Sequence, residues 1–118
     1  MQYRIGYVTV GVRDLDRALG FYRDVMGFPL LYSAPEFSYA AFDLGGRRFA
    51  IAAGGEPRPE GDRHTGIGIL VDDVDAAHAE LAAKGVRFTM PPSKQPWGGY
   101  MAMFADPDGN LFYIDKEG

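Results

Sequence analysis

Residues 6–28 read GYVTVGVRDLDRALGFYRDVMGF, and residues 66–88 read GIGILVDDVDAAHAELAAKGVRF. The first stretch matches the second when three valines are set against three β-branched residues: Val8, Val10 and Val12 against Ile67, Ile69 and Val71. One residue drops out of the second copy before the glycine near its end. A short chain that repeats itself in this way is predicted to fold as two copies of one module.

Each copy begins with apolar residues at every second position, which predicts a strand with one buried face. Asp14 and Asp73 follow, where a carboxylate can accept a free amide and start a helix. An apolar stripe at helical spacing comes next. Gly27 and Gly85 then stand where a left-handed residue would end that helix.

Three short strand-like runs follow each helix. They cover residues 28–33, 37–44 and 47–52 in the first copy, and residues 86–90, 99–104 and 110–115 in the second. The last two runs of each copy are joined by turn sequences, Gly45-Gly46 and then DPDGN at residues 106–110. Each copy is therefore predicted as βαβββ.

The predicted fold class is α+β, with two βαβββ modules forming a curved mixed sheet. One helix covers only one face of four strands, so the helices should lie outside and a concave ligand trough inside. We expect a single domain over residues 1–118. Module one covers about 1–53, a linker rich in Gly, Pro and charge about 54–63, and module two about 64–118.

Composition narrows the classes of function. The formal net charge of −4 argues against nucleic acid and anionic membranes as partners. The absence of cysteine excludes disulfides, thiolate nucleophiles and thiolate metal sites. The first residues do not have the pattern of a signal peptide, and no apolar run approaches the ~20 residues of a membrane span. We therefore expect a cytoplasmic protein.

The sequence resembles the vicinal-oxygen-chelate superfamily, which includes glyoxalase I, extradiol dioxygenases, fosfomycin-resistance enzymes and bleomycin-resistance proteins. The resemblance rests on residues 8–28, 69–81 and 96–114. It implies paired βαβββ modules, usually in a dimer, with a ligand in the trough. Enzymes of this superfamily hold a divalent metal there with four side chains, mostly His and Glu.

This resemblance assigns the four metal-ligand positions to Tyr7, to Ala50 or Ile51, to Gly66 and to Tyr113. Divalent cations need several converging carboxylates or imidazoles. These positions offer only two phenols, whose ordinary pKa is near 10. We therefore expect no metal and no cofactor.

The two histidines leave one alternative open. His64 lies two residues before Gly66 and could serve as a displaced metal ligand, although the end of a linker is the alternative interpretation. His78 is expected at the edge of the contact between helix and sheet. The acidic cluster at residues 72–75 is interpreted as helix capping.

Strand parity gives the candidate ligand-binding residues. Tyr7 and Thr9 alternate with the valines of the first strand, so they should face the trough, as should Leu111 and Tyr113 on the last strand. Trp97 precedes two glycines and is expected at the rim as a stacking wall, with packing on the core or a dimer contact as the alternative. Three further residues are expected in the core: Tyr100, Met101 and Met103. Parity does not place Phe37 and Tyr39.

These features favour a metal-free protein that sequesters an aromatic or cationic small molecule, like the bleomycin-resistance proteins. Two alternatives stay open. One is a metal-dependent lyase, isomerase or dioxygenase of the glyoxalase type, and the other is a metal-free enzyme that uses a trough tyrosine as general acid or base. A homodimer is expected, because uncovered sheet faces and edges are liabilities in a monomer.

Overall fold

The computed structural model describes residues 1–55 and 63–116. The chain divides into two compact units, one on each side of residues 56–62. The predicted linker therefore lies largely outside the described residues, and the single domain stays a prediction. In the described part of the chain, no helix has the length and apolar character needed to cross a membrane.

The described part of the first unit, residues 1–55, contains one main helix and four strands. Their order is β1 (Tyr7–Val12), α1 (Leu15–Leu19) with a π-helical continuation (Gly20–Val25), β2 (Leu30–Ala34), a 3₁₀ turn (Pro35–Phe37), β3 (Tyr39–Leu44) and β4 (Arg47–Ala53). The strands form one sheet in the order β1-β4-β3-β2, in which only β1 and β4 are parallel.

The second unit repeats this arrangement. Its elements are β5 (His64–Val71), α2 (Val74–Ala83), β6 (Arg87–Lys94), β7 (Tyr100–Ala105) and β8 (Leu111–Lys116). The sheet order is β5-β8-β7-β6, with β5 and β8 parallel. The α+β class and the two βαβββ modules are thus confirmed, with one four-stranded mixed sheet in each unit. The curved sheet shared by both modules and its trough stay predictions.

The helix boundaries follow from the predicted capping residues. The side chain of Asp14 accepts the amide of Asp16 at 3.1 Å, and that of Asp73 accepts the amide of Ala76 at 3.0 Å. After the helices, Gly27 and Gly85 have φ of 75° and 93°. Glycine adopts this left-handed conformation without the steric penalty of a side chain.

The additional residue of the first copy is accommodated by the π-helical continuation. There the amide of Met26 donates to the carbonyl of Phe21, five residues earlier, at 2.9 Å. An α-helix would make this bond four residues apart, so the wider turn takes up one more residue. Phe21 and Tyr22 lie in this turn, and both are buried.

Each unit buries one face of its sheet against its own helix. In the first unit the ring of Tyr22 lies 5.2–6.2 Å from the rings of Phe28, Phe42 and Phe49. In the second unit Phe104 and Phe112 stack at 5.2 Å. Alternation along the strands points the other side chains to the opposite face, on which no helix of the same unit packs within the described residues.

Several strand boundaries differ from the prediction, and two of these differences have a clear structural reason. Strand β6 continues to Lys94, past Pro91 and Pro92, with interruptions in its pairing with β7. The prolines are tolerated because β6 is an edge strand, where a missing N–H breaks no interior ladder. In the first unit the run predicted from residue 37 begins as the 3₁₀ turn, and Ser38 is left-handed with φ of 52°.

Candidate functional site

The open face of the first sheet is defined here as the face opposite its helix. Tyr7 and Thr9 of β1 belong to it, because they alternate with Val10 and Val12, which are buried. Strand pairing extends this face to the neighbouring strands. Its other members are Gly11 on β1, Arg48, Ala50 and Ala52 on β4, Tyr39, Ala41 and Asp43 on β3, and Tyr32 on β2.

Small residues form the base of this open face. Ala41 and Ala50 pair directly across β3 and β4, and both are fully buried. Larger side chains make up its accessible surface, with Tyr7 57% and Tyr32 44% exposed. The first open face is therefore aromatic at its surface.

The positively charged side chain of Arg48 lies next to one of these aromatic side chains, Tyr7. The guanidinium carbon of Arg48 is 4.3 Å from the centre of the Tyr7 ring, within the range of a cation–π interaction. The Tyr32 and Tyr39 rings are 6.1 Å apart. Burial raises the pKa of Tyr39. The positive charge of Arg48 opposes this rise, and the hydrogen bond between Tyr39 and Tyr32 adds to it. Tyr39 therefore keeps its proton at neutral pH and can donate a hydrogen bond.

The open face of the second sheet has different chemistry. It carries His64, Gly66, Gly68 and Leu70 on β5, Leu111, Tyr113 and Asp115 on β8, and Met101 and Met103 on β7. The rings of His64 and Tyr113 lie 4.5 Å apart. His64 Nδ1 accepts the amide of Gly66 at 2.9 Å, so the proton of the neutral ring is on Nε2.

The predicted ligand-binding residues are found in three places. Tyr7 and Thr9 share the first open face, and Leu111 and Tyr113 share the second. Trp97 lies in the connection between β6 and β7 and is 74% exposed. It is thus not packed in the core of its unit. A ligand-binding role for all five stays a prediction.

Three residues of the first open face were missed in the sequence. Arg48 alternates with Phe49 and Ile51, so parity within RRFAIAA could have assigned it to this face. Tyr39 and Tyr32 could not be assigned in the same way. A turn precedes Tyr39, and the register of β2 shifts between Leu30 and Tyr32.

The second sheet corrects a further expectation. Met101 and Met103 were expected in the core, but they alternate with the fully buried Ala102 and Phe104 and are only half-buried on the open face. Tyr100, also expected in the core, is 41% exposed; it lies on the helix side, where its hydroxyl donates to Asp75 of α2. This hydrogen bond raises the pKa of Tyr100.

His78 lies in the contact between α2 and the second sheet, as predicted. Its ring meets Phe88 edge-on at 4.6 Å. Asp106, Asp108 and Asn110 are buried in the turn between β7 and β8, where Asp106 accepts the amides of the other two residues at 2.9 and 2.8 Å. The hydrogen bonds of Asp106 therefore stabilise the turn between β7 and β8.

The residues at the four metal-ligand positions do not fit a divalent metal. Ile51 is buried on the helix side, so the second position falls on Ala50, which has only a methyl group. The other three positions supply two phenols and a hydrogen atom: Tyr7, Tyr113 and Gly66. Within residues 1–55 and 63–116, no three His, Asp or Glu side chains are grouped so that they could hold a metal ion.

Comparison with known proteins gives consistent matches. The model of the Glyoxalase/Bleomycin resistance protein/Dioxygenase superfamily matches residues 4–114. The uncharacterized protein YraH of Bacillus subtilis (strain 168) is 31% identical over 117 residues, which is 89% of this chain and 91% of that protein. A lactoylglutathione lyase of Haemophilus influenzae is 32% identical over 117 residues, covering 90% of this chain and 87% of the lyase.

A solved structure is similarly close. TnmS3, an antibiotic binding protein from Streptomyces sp. CB03234, superimposes with a TM-score of 0.83 at 30% identity. The match covers 99% of this chain and 98% of TnmS3. One relative is thus named for a reaction and another for binding an antibiotic, so the residues of the open faces have to distinguish the two functions.

Proposed function

The chain belongs to the glyoxalase/bleomycin resistance protein/dioxygenase superfamily, and on that premise we propose that it is a metal-free protein that binds and sequesters a small aromatic molecule. Five residues are proposed to bind ligands: Tyr7 and Thr9 on the first open face, and Trp97, Leu111 and Tyr113 in the second unit. The observation that carries the proposal is the chemistry at the metal-ligand positions, where phenols, a methyl group and a glycine stand instead of imidazoles and carboxylates.

The surfaces of the two open faces support the same proposal. Aromatic side chains give large contact areas at a small cost in conformational entropy. Tyr7 and Tyr32 expose their rings on the first face, and Trp97 exposes its indole in the second unit. TnmS3, which has this fold, is an antibiotic binding protein.

A second candidate function is supported by one relative. The lyase of Haemophilus influenzae is 32% identical to this chain, and its reaction would require groups that polarise a substrate oxygen. The four metal-ligand positions offer no imidazole or carboxylate that could hold a metal ion for this purpose. The donor set therefore favours binding over catalysis.

The proposal is tested by metal content and ligand binding together. The protein, purified without a histidine tag and dialysed, is analysed for bound metals and assayed for lactoylglutathione formation with and without added divalent ions. A panel of aromatic antibiotics is then titrated while the emission of Trp97, the only tryptophan, is followed. We expect saturable quenching that weakens several-fold in Trp97→Ala and Tyr7→Ala. A stoichiometric metal with lyase activity would reject the proposal in favour of the lyase.

A homodimer and a cytoplasmic location belong to the same proposal. Leu30, Leu31 and Tyr32 are 38–54% exposed on β2, an edge strand, and exposed apolar edges favour association. Light scattering at micromolar concentration should give about twice the mass of the 12.9 kDa chain. A monomer at that concentration would contradict the dimer, and cell fractionation tests the location.

A further inference from the structure

Arg48 is a basic residue of the first open face and lies on the interior strand β4, close to the turn between β3 and β4. It pairs with Tyr7 on one side and with Asp43 on the other. Its guanidinium lies over the Tyr7 ring, 4.3 Å from the centroid. The carboxylate of Asp43 accepts the amide of Gly46 at 3.0 Å, so the turn between β3 and β4 holds it. Among the described residues, no carboxylate forms an ion pair with Arg48.

A guanidinium in this position is prepared for a ligand. Stacking on Tyr7 restricts the side chain, and the planar group keeps several N–H donors in a fixed fork. A carboxylate matches that fork with two parallel hydrogen bonds, which are stronger than neutral ones. A cation placed on the same face would be repelled by Arg48.

Two more tyrosines of the first open face add further donors. Tyr39 pairs with Ala52, four residues along β4 from Arg48, and its ring lies 6.1 Å from that of Tyr32. Because burial raises its pKa, Tyr39 stays a neutral donor at physiological pH. A ligand on this face finds a cation at one end and phenol hydroxyls and aromatic rings along the sheet.

We propose that the first open face selects planar aromatic anions, such as an aromatic ring bearing a carboxylate, and that Arg48 determines this selectivity. The inference rests on the proposed function, since it names the charge of the molecule that the protein sequesters. The carboxylate pairs with Arg48, and the ring packs against Tyr7, Tyr32 and Tyr39. The sequence favoured an aromatic or cationic ligand, and the position of Arg48 reverses the expected charge.

Three probes of equal shape test the selectivity: 2-naphthoate, the neutral 2-naphthamide and the cationic 2-naphthylmethylammonium. Affinities are measured by calorimetry, and the bound position is located by amide chemical shifts in NMR spectra. We expect 2-naphthoate to bind about 10- to 100-fold more tightly than the amide, as a charge-assisted hydrogen-bonded pair predicts. The largest shifts are expected in β1, β3 and β4.

Arg48→Gln and Arg47→Gln form a matched pair of variants. Both remove one positive charge from β4, but Arg47 is exposed and lies at a position of opposite parity, so it is not part of the first open face. Arg48→Gln should remove the preference for 2-naphthoate over 2-naphthamide, and Arg47→Gln should retain it. Arg48→Lys should keep part of the preference, because it keeps the charge and loses the fork. Circular dichroism checks that each variant is folded.

The possible outcomes separate this inference from the proposed function. Equal affinity for all three probes, or tightest binding of the cation, overturns anion selectivity while small-molecule binding stands. An equal loss in both variants assigns the preference to net charge and overturns the role of Arg48. If 2-naphthoate produces no shifts in the first sheet at millimolar concentration, the inference is also overturned. The proposed function has separate tests: it fails if the antibiotic panel gives no binding, or if the protein holds a stoichiometric metal and has lyase activity.

Discussion

The two units of this chain have the same strand order and different side chains on their open faces. In each unit an aspartate starts the helix, a left-handed glycine follows it, and parallel pairing joins the first and last strands. The first open face is made of tyrosines, alanines and Arg48. The second is made of glycines, methionines and the ring pair of His64 and Tyr113.

This difference indicates which of the two faces of each strand specifies the fold. The helix-facing positions keep apolar side chains in both units, such as Val10 and Ile51 in the first and Phe112 and Ile114 in the second. The open-facing positions have diverged without any change in topology. An exposed residue of the open face, such as Tyr7, can therefore contact a ligand, because the core of its unit packs on the opposite face.

The largest effect is expected from two neighbours on β8 that face opposite ways. Phe112 is buried and stacked on Phe104, so Phe112→Ala should lower the free energy of unfolding by about 3–5 kcal/mol. Tyr113→Ala, on the open face, should cost about 1 kcal/mol. Urea denaturation measures both, and Phe112→Leu replaces the alanine variant if that does not fold. Equal losses at the two positions would contradict the division between the faces.

The second-largest change in unfolding free energy is expected in the turns that precede the last strand of each unit. Asp106 accepts the amides of Asp108 and Asn110 and the side-chain amide of Asn110, at 2.8–2.9 Å, and is buried. Asp43 is exposed and accepts the amide of Gly46 at 3.0 Å. Asp106→Ala should therefore cost about 2–4 kcal/mol and Asp43→Ala about 1 kcal/mol. A larger loss for Asp43→Ala in urea denaturation would show that burial of the turn is unimportant.

Much of the fold could be predicted from the repeat, because local rules determine it. Period-two alternation, capping aspartates and terminal glycines each act over a few residues, and the structure has them in both units. The π-helical turn was not predicted. The sequence has one more residue before Gly27 than before Gly85, but only the packing of Phe21 and Tyr22 decides how the helix accommodates it.

The first open face was harder to predict, because it is assembled by register between strands. Parity placed Tyr7 and Thr9 correctly within β1, but it does not show which residues of other strands lie beside them. Arg48 lies next to Tyr7 only through the parallel pairing of β1 with β4. Tyr32 depends on an irregular register in β2, for which the sequence carries no signal.

An intermediate effect is expected on the ionisation of Tyr39. Burial raises its pKa above the ordinary value of about 10, and the positive charge of Arg48 opposes this rise. Arg48→Gln should therefore raise the pKa of Tyr39 further, whereas Arg47→Gln should leave it nearly unchanged. The ¹³Cζ shift of labelled tyrosine follows the titration, with Tyr39→Phe to assign the signal. A lower pKa in Arg48→Gln would contradict the proximity of the two groups.

The ionisation of Tyr39 also makes the stability of the fold depend on pH. A folded-state pKa above the unfolded value means that folding favours the protonated phenol of Tyr39. This contribution to stability is fully present below the unfolded pKa, near pH 10, and is lost as the pH rises through the folded pKa. The first unit should therefore lose stability in alkaline solution, and Tyr39→Phe should reduce that loss.

The smallest effect concerns the connections between the second and third strands of each unit. Each carries an exposed aromatic residue followed by a left-handed one: Phe37 (78% exposed) before Ser38 (φ 52°), and Trp97 (74% exposed) before Gly98 (φ 96°). The two units thus resemble each other here as well. Only the second connection places its aromatic ring over a following glycine, Gly99.

Gly99→Ala tests how firmly that indole is held. A Cβ on Gly99 would lie 2.8 Å from Nε1 of Trp97, which is too close, so one of the two groups must move. Because the indole is exposed, we expect it to swing away, with a change in unfolding free energy below about 1 kcal/mol and emission at longer wavelength. Gly98→Ala is the control: its left-handed backbone should cost about 1 kcal/mol or more, with a smaller spectral change. If Gly99→Ala destabilises the protein more than Gly98→Ala does, the indole is fixed in place. Trp97 would then be a rigid wall, unlike Phe37 in the first unit, and a ligand would have to fit its present position.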